Sequence, residues 1–288
     1  MDLYLAPGHV YVVNPTLDFE AAKQQAIDKR LSVVAGGLGA LFSRPKAEEV
    51  DLSYAETRFE PVWHVVCTVR FAFERNRTFS VPVTGPEVRS VSMFGQDFEL
   101  AAQPPAQSGL LQQLGISGTA RSFNVPGVER CLDENRLERM LDAVSGQAAT
   151  IGAEIALKEK TEITDLSMLT SGEALLVSPQ LSASQVLKPL LTAMIKPIQA
   201  DKVIEEMARV DTLDLYFRPI YAFEFSWKAK NKTGVAEFNA ITGAMDNGKA
   251  LHTQSEKVLT RETLFDVTAD NVTSLMPSAT INVRLIPG

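Results

Sequence analysis

Few side chains in this sequence are equipped for chemistry, and their spacing limits what they can do together. The chain has three histidines, His9, His64 and His252, and two cysteines, Cys67 and Cys131. A protein metal site needs three or four such ligands to converge. His64 and Cys67 stand three apart, an odd spacing that puts them on opposite faces of a strand. Cys131, preceded by Pro126-Gly127-Val128-Glu129-Arg130, is the one candidate nucleophile, and no Gly-x-Ser-x-Gly elbow accompanies it. The run Ala35-Gly36-Gly37-Leu38-Gly39 does not satisfy Gly-x-Gly-x-x-Gly, and there is no Walker pattern. Nor do any two carboxylates have a spacing that marks an acid/base pair. No catalytic residue, metal or cofactor is therefore assigned.

The polar side chains that stand out belong to two aromatic segments. Trp63, Val65, Cys67, Val69, Phe71 and Phe73 occupy every second position, with His64, Thr68, Arg70 and Glu74 among the alternates. Further on, Tyr221, Phe223, Phe225, Trp227 and Ala229 alternate with Glu224, Ser226, Lys228, Lys230 and Lys232. Period-two patterning of this kind predicts half-buried strands. Cations on the outer row either guard a sheet against unwanted pairing or recognise an acidic partner. His64, Arg70, Glu224, Lys228 and Lys230 are accordingly the candidate binding residues.

These segments lie inside an internal repeat. Val12-Val13-Asn14-Pro15-Thr16-Leu17-Asp18 recurs as Leu176-Val177-Ser178-Pro179-Gln180-Leu181-Ser182, and Arg44-Pro45 is echoed by Lys196-Pro197. Phe59-Glu60-Pro61-Val62-Trp63 recurs as Phe217-Arg218-Pro219-Ile220-Tyr221, a shift of 158, and Thr84-Gly85 matches Thr242-Gly243. Proline to glycine is 24 residues in both copies. Each copy thus predicts strand, Pro, helix, connection and antiparallel hairpin. The hairpin turns fall at Arg75-Asn76-Arg77 and Asn231-Lys232-Thr233-Gly234, and the return strands at 79–83 and 235–241. Helices are expected from Asp18 through Leu31, with an extension to about Phe42, and from Ser182, where Gln185 completes a capping-box signature.

Outside the copies, residues 101–133 are rich in Pro, Gln, Ser and Gly and predict a linker. Leu137, Leu141, Val144, Ala148, Ile151 and Ile155 then alternate spacings of four and three, which predicts a long helix from about Asp133 to Lys158. A helix over 260–275 and a strand over 279–285 complete the chain. The expected fold is α+β: two tandem related modules, each a helix packed on a small antiparallel sheet, pseudo-twofold, with a connecting long helix. The domains are 1–100 (copy one), 101–169 (Pro/Gln-rich linker and long helix), 170–250 (copy two) and 251–288 (C-terminal helix and strand).

Composition narrows the partners. With 288 residues, a formal charge of −7 and 45% apolar residues, the profile is globular and its overall field repels nucleic acid. The longest uncharged stretch, Leu100 to Ala120, carries Pro104 and Pro105, so no membrane span is expected. Two cysteines and a start without a basic, apolar leader predict a cytoplasmic location. The run Val235-Ala236-Glu237-Phe238-Asn239-Ala240-Ile241-Thr242-Gly243-Ala244-Met245 resembles the strand-to-turn pattern of PepSY-type modules, and the first copy retains Val83-Thr84-Gly85 of it. That resemblance implies a short helix on a small antiparallel sheet and a non-catalytic, protein-binding or inhibitory role. The expected function is a protein-binding or scaffold/adaptor subunit that meets other protein subunits or itself. The alternative is a small-ligand-binding protein or enzyme with a pocket between the two modules.

Overall fold

The structure, a computed structural model, describes residues 1–35, 45–85, 87–100, 121–149, 154–169, 173–252, 259–267 and 282–286. Strand makes up 54% of them and helix 20%. The strands are β1 (Asp2–Leu5), β2 (Gly8–Val13), β3 (Val50–Val83), β4 (Ser90–Met93), β5 (Gln96–Glu99), β6 (Arg121–Asp142), β7 (Lys160–Glu162), β8 (Leu175–Leu176), β9 (Lys202–Trp227), β10 (Lys232–Asn239), β11 (Met245–Asn247) and β12 (Asn282–Leu285). The helices are α1 (Phe19–Ala35), α3 (Ala183–Met194) and the single turns α2 (Glu154–Leu157) and α4 (Arg261–Leu264). The chain divides into two compact units. Unit 1 comprises 1–69, 135–196 and 207–288, and unit 2 comprises 70–134 and 197–206.

In unit 1, β9 is the central strand. Along one edge it takes three partners in succession: β1 in parallel at Met207–Val210, β2 in parallel at Leu213–Phe217, and β10 antiparallel at Ile220–Trp227. Its other edge takes β3. Side-chain bridges from Ser53 to Glu224, Glu60 to Arg218 and Thr68 to Asp211 show the two strands running in opposite directions. Every residue from Pro61 to Val69 is buried, and so is most of Leu213 to Phe225, because this sheet is covered on both faces. In β3 the outward row is buried too, so the alternation of the sequence reports only half of what is inside.

The two copies of the repeat are interleaved. β2 belongs to the first copy yet pairs with β9, and β8 belongs to the second copy yet pairs with β3 at Arg58 and Phe59. The helix after each leading strand is carried with it. Ala22, Ala26, Val33 and Val34 of α1 therefore pack on Tyr221, Phe223, Phe225, Trp227 and Phe238 of the other copy. Reciprocally, Trp63 Nε1 donates to the Leu181 carbonyl just ahead of α3, at 3.0 Å. The expected pair of tandem helix-on-sheet modules joined by a long helix is thus corrected to a mostly stranded unit in which β3 and β9 share one large mixed sheet. Burying five large apolar side chains is worth about 10 kcal/mol before entropy, whichever copy supplies the covering helix.

Three local expectations change with it. The long helix over 133–158 is instead the end of β6, a turn and the short α2. Leu137 and Leu141 are four apart, an even spacing that a strand also keeps on one face. The first copy makes no hairpin at 75–77, since β3 runs unbroken to Val83. In unit 2 Asn76 N donates to Asp201 at 2.6 Å and Arg75 Nε to the Gln199 carbonyl at 2.7 Å, so these turn-forming residues bond a neighbouring segment. The return strand is β6, reached only after β4 and β5. The structural counterpart of Gly243 is therefore Gly146, not Gly85: both have φ +74 and close the same turn, through Gly146 N to Asp142 O and Gly243 N to Asn239 O, each 2.8 Å. The C-terminal helix is described only as α4. The extension of α1 to Phe42 and residues 101–120 of the linker lie outside the described residues, whereas 121–133 form part of β6.

Other elements form as their local chemistry dictates. Asp18 Oδ1 accepts from Glu20 N and Ala21 N at the start of α1. Ser182 N donates to Gln185 Oε1 at 2.9 Å, and Asp266 accepts from Ser184 N, so the first turn of α3 is satisfied twice. The turn of the β9–β10 hairpin falls earlier than the expected 231–234: β9 ends at Trp227, Lys228–Lys230 form a 3-10 turn, Asn231 adopts the left-handed conformation, and Lys232 to Gly234 already belong to β10. Gly234 lets α1 approach that hairpin, because a Cβ there would lie 2.5 Å from the Val33 carbonyl oxygen. Gly234→Ala is expected to push the end of α1 off β10 and lower stability by about 1–3 kcal/mol. Urea unfolding checks this, and an unchanged midpoint would show that the helix end yields freely.

Candidate functional site

Ionisable and aromatic side chains form a row across five strands of unit 1. β7 supplies Lys160 and Glu162, β2 supplies His9 and Tyr11, β9 supplies Asp214 and Tyr216, β3 supplies His64 and β6 supplies Glu138. The register aligns them: Tyr11 lies opposite Glu162 on one side and Tyr216 on the other, and His9 lies opposite Asp214. The rings follow one another, with centroids 6.0 Å apart for His9–Tyr11, 5.4 Å for Tyr11–Tyr216 and 5.9 Å for Tyr216–His64. Lys160 Nζ sits 4.6 Å from the Tyr11 centroid and 4.8 Å from that of Tyr216, and donates to the Tyr216 hydroxyl at 3.0 Å. That hydroxyl donates onward to Asp214 at 3.1 Å.

Both ends of the row carry a histidine–carboxylate pair. His9 Nδ1 is 2.8 Å from Glu162, where both side chains are part-exposed, and His64 Nε2 is 2.9 Å from Glu138. His64 is buried, and its Nδ1 has no hydrogen-bond partner among the described residues. Burial raises the pKa of Asp214, partly offset by the Tyr216 hydroxyl, His9, His64 and Lys160. Burial also raises Tyr216, reinforced by the Asp214 charge and hydrogen bond. A row of this kind can hold and relay protons and can bind a polar molecule at its exposed edge.

A second buried polar group lies further along β3 and β9. The Arg58 guanidinium reaches Glu56 at 3.2 Å, Glu60 at 2.9 Å, Glu237 at 2.5 Å and the Lys249 carbonyl at 2.7 Å. Glu60 also binds Arg218 at 2.8 Å, and Glu56 accepts the backbone N–H groups of Leu251 and His252. Burial disfavours the charge on Arg58, but Glu60 and Glu237 more than restore it, so its pKa is raised. This cluster ties β3, β9 and β10 to segment 249–252.

The residues singled out from the sequence fall in different surroundings. His64 is in the row. Arg70 lies in unit 2, beside Glu205 at 3.5 Å and Glu134 at 3.9 Å. Glu224 binds His252 at 3.0 Å and Ser53 at 3.1 Å, Lys228 binds Asp51 at 3.0 Å, and Lys230 is exposed in the 3-10 turn. The structure thus gives His64, Arg70, Glu224 and Lys228 separate partner sets and does not bring the five together. Sequence reasoning missed Glu56, Arg58 and Glu60, and also Asp214, Tyr216 and Arg218. The signal was available as ionisable residues at every second position leading into each aromatic segment. Cys67 is buried, which pushes its thiol up to about 12 and makes it inert, whereas Cys131 is part-exposed on β6.

Unit 2 is distinguished by apolar surface. Among the described residues it buries Phe71, Phe73 and Phe123, whereas Phe79, Phe94, Val128, Leu132, Val203 and Ile204 stand exposed. These are six of the eleven large exposed apolar side chains described in the whole chain. Comparison of the chain with protein-family models, characterised proteins and solved structures finds no match.

Two outcomes follow. Arg58→Met leaves Glu56, Glu60 and Glu237 facing one another without their cation and is expected to cost about 3–5 kcal/mol, read from chemical unfolding. For Asp214, the raised folded pKa means the native state holds its proton more readily than the unfolded chain, so its contribution worsens as pH rises above the ordinary aspartate range. Asp214→Asn should therefore gain stability relative to the parent as the pH rises above about 4. A difference in urea midpoint that does not change with pH would contradict this.

Proposed function

We propose that the protein is a non-catalytic protein-binding or scaffold subunit of a larger cytoplasmic assembly, whose partners are other protein subunits or further copies of itself. The observation that carries this reading is the imbalance within unit 2, which among its described residues exposes six large apolar side chains and buries three. Each exposed side chain of that size forgoes about 1.5–3 kcal/mol of burial, which a protein partner can recover. Two free thiols, one of them inert, suit a reducing compartment. Among the described residues no helix is long and apolar enough to cross a membrane.

The alternative of a small-ligand-binding protein or enzyme draws on the ionisable row of unit 1 and on the Nδ1 of His64, which has no partner among the described residues. Native mass spectrometry of untagged protein from its own cells separates the two. A mass above 31.5 kDa is expected, and it should return to 31.5 kDa in the Leu132→Lys, Ile204→Lys double variant with the circular dichroism unchanged. A bare 31.5 kDa chain at micromolar concentration would overturn the scaffold reading, and the same chain with a discrete small-molecule mass would favour the alternative.

A further inference from the structure

The interleaved repeat reveals an edge of β3 along which, among the described residues, there is no counterpart of the strand that β9 carries. Equivalent positions in the two copies are related by the shift of 158, and the structure preserves the relation in detail. Glu60 and Arg218, themselves 158 apart, pair with each other. Ala143 N donates to the Pro61 carbonyl at 3.0 Å, as Ala240 N does to that of Pro219 at 3.1 Å. Gln180 N and Leu181 N donate to Ala143 O, as Thr16 N and Leu17 N do to Ala240 O.

On β9, the edge opposite β3 is filled by β1 along 207–210 and β2 along 213–217. The equivalent edge of β3 spans 49–52 and 55–59. Since β9 takes the other side of β3 over Ser53 to Thr68, β8 and β6 must share this one. β8 covers only Arg58 and Phe59, and β6 begins its contact at Pro61. Among the described residues no strand pairs with β3 on this edge from Val50 to Thr57. An open cleft of about 390 Å³ lies there, lined by Phe19, Tyr54, Glu56, Thr57, Glu173 and Leu175 among others.

We propose that this edge of β3 is a strand-accepting site, which takes an extended segment of a partner polypeptide in parallel register ahead of β8. The main chain of β3 supplies the hydrogen bonds, as in other β-augmentation sites. The side-chain preference follows from β1, which fills the equivalent edge of β9 with Leu3 and Leu5 buried. The incoming segment should carry apolar residues at alternate positions, with no proline inside it.

The site adds a partner class to the protein-binding reading and uses no residue of unit 2. The probe is a synthetic peptide with the sequence of residues 1–6, which spans β1 and contains no proline, added to the full chain and followed by fluorescence anisotropy and hydrogen exchange. At a peptide concentration ten times the measured Kd, exchange of the amides in 50–57 is expected to slow about tenfold, while a scrambled peptide leaves them unchanged. No binding, or altered exchange confined to 207–210 from exchange with the resident β1, would overturn the proposal. An assembly that persists by native mass while 50–57 stays unprotected would remove this site and leave the protein-binding reading intact.

Discussion

The structure depends on the backbone of one long strand. β9 runs from Lys202 to Trp227, and in unit 1 its peptide groups are almost all withdrawn from water. Buried N–H and C=O groups must be paired, so both edges of β9 need neighbours along their length. One edge is met by β3. The other is met piecewise by β1, β2 and β10, and the chain has to bring its N-terminus, its middle and its later hairpin together to do so. The loops then follow from this demand: the chain after β2 lands on the β9–β10 hairpin as α1, and that hairpin's aromatic face is buried by a helix encoded about two hundred residues earlier.

Such pairing also explains why charges lie inside. Where β3 and β9 run side by side, residues that would be solvent-facing in a two-stranded ribbon are covered by neighbouring elements. Arg58 and Arg218 therefore come to rest among Glu56, Glu60 and Glu237, and Asp214 comes to rest under Tyr216 and Lys160. A buried ion cluster is a weak source of stability but a strong constraint on register, since sliding either strand would leave charges unpaired at a cost of several kcal/mol. The row from Glu162 to Glu138 obeys the same logic, except at His64 Nδ1, a buried nitrogen that no partner among the described residues satisfies.

Unit 2 presents the opposite case. It comprises stretches of β3, β6 and β9 together with the small β4–β5 sheet, and it buries only three phenylalanines among its described residues. In the second copy the aromatic strand turns within a few residues through Lys228–Lys230 and Asn231, whereas in the first copy the chain makes unit 2 before it returns as β6. With three large apolar side chains buried among its described residues, unit 2 accords with the proposed partner surface, and the edge of β3 in unit 1 accords with the same proposal by backbone rather than side-chain recognition.

The sequence by itself determined the local elements. The alternation of Tyr221 to Trp227, the start of α1 at Asp18 and the capping of α3 by Ser182 and Gln185 are all decided by neighbours within a few residues. The repeat, too, was legible, because equivalent segments keep equivalent residues such as Glu60 and Arg218. Tertiary structure alone decided which helix covers which strand, that β3 continues through Asn76, and that the strand closing the first copy's hairpin is β6. It also brought His9, Tyr11, His64, Glu138, Lys160, Glu162, Asp214 and Tyr216 into one row. The reason is that pairing between strands is set by which edges remain unsatisfied once the whole chain is collapsed, and no local pattern of residues carries that information.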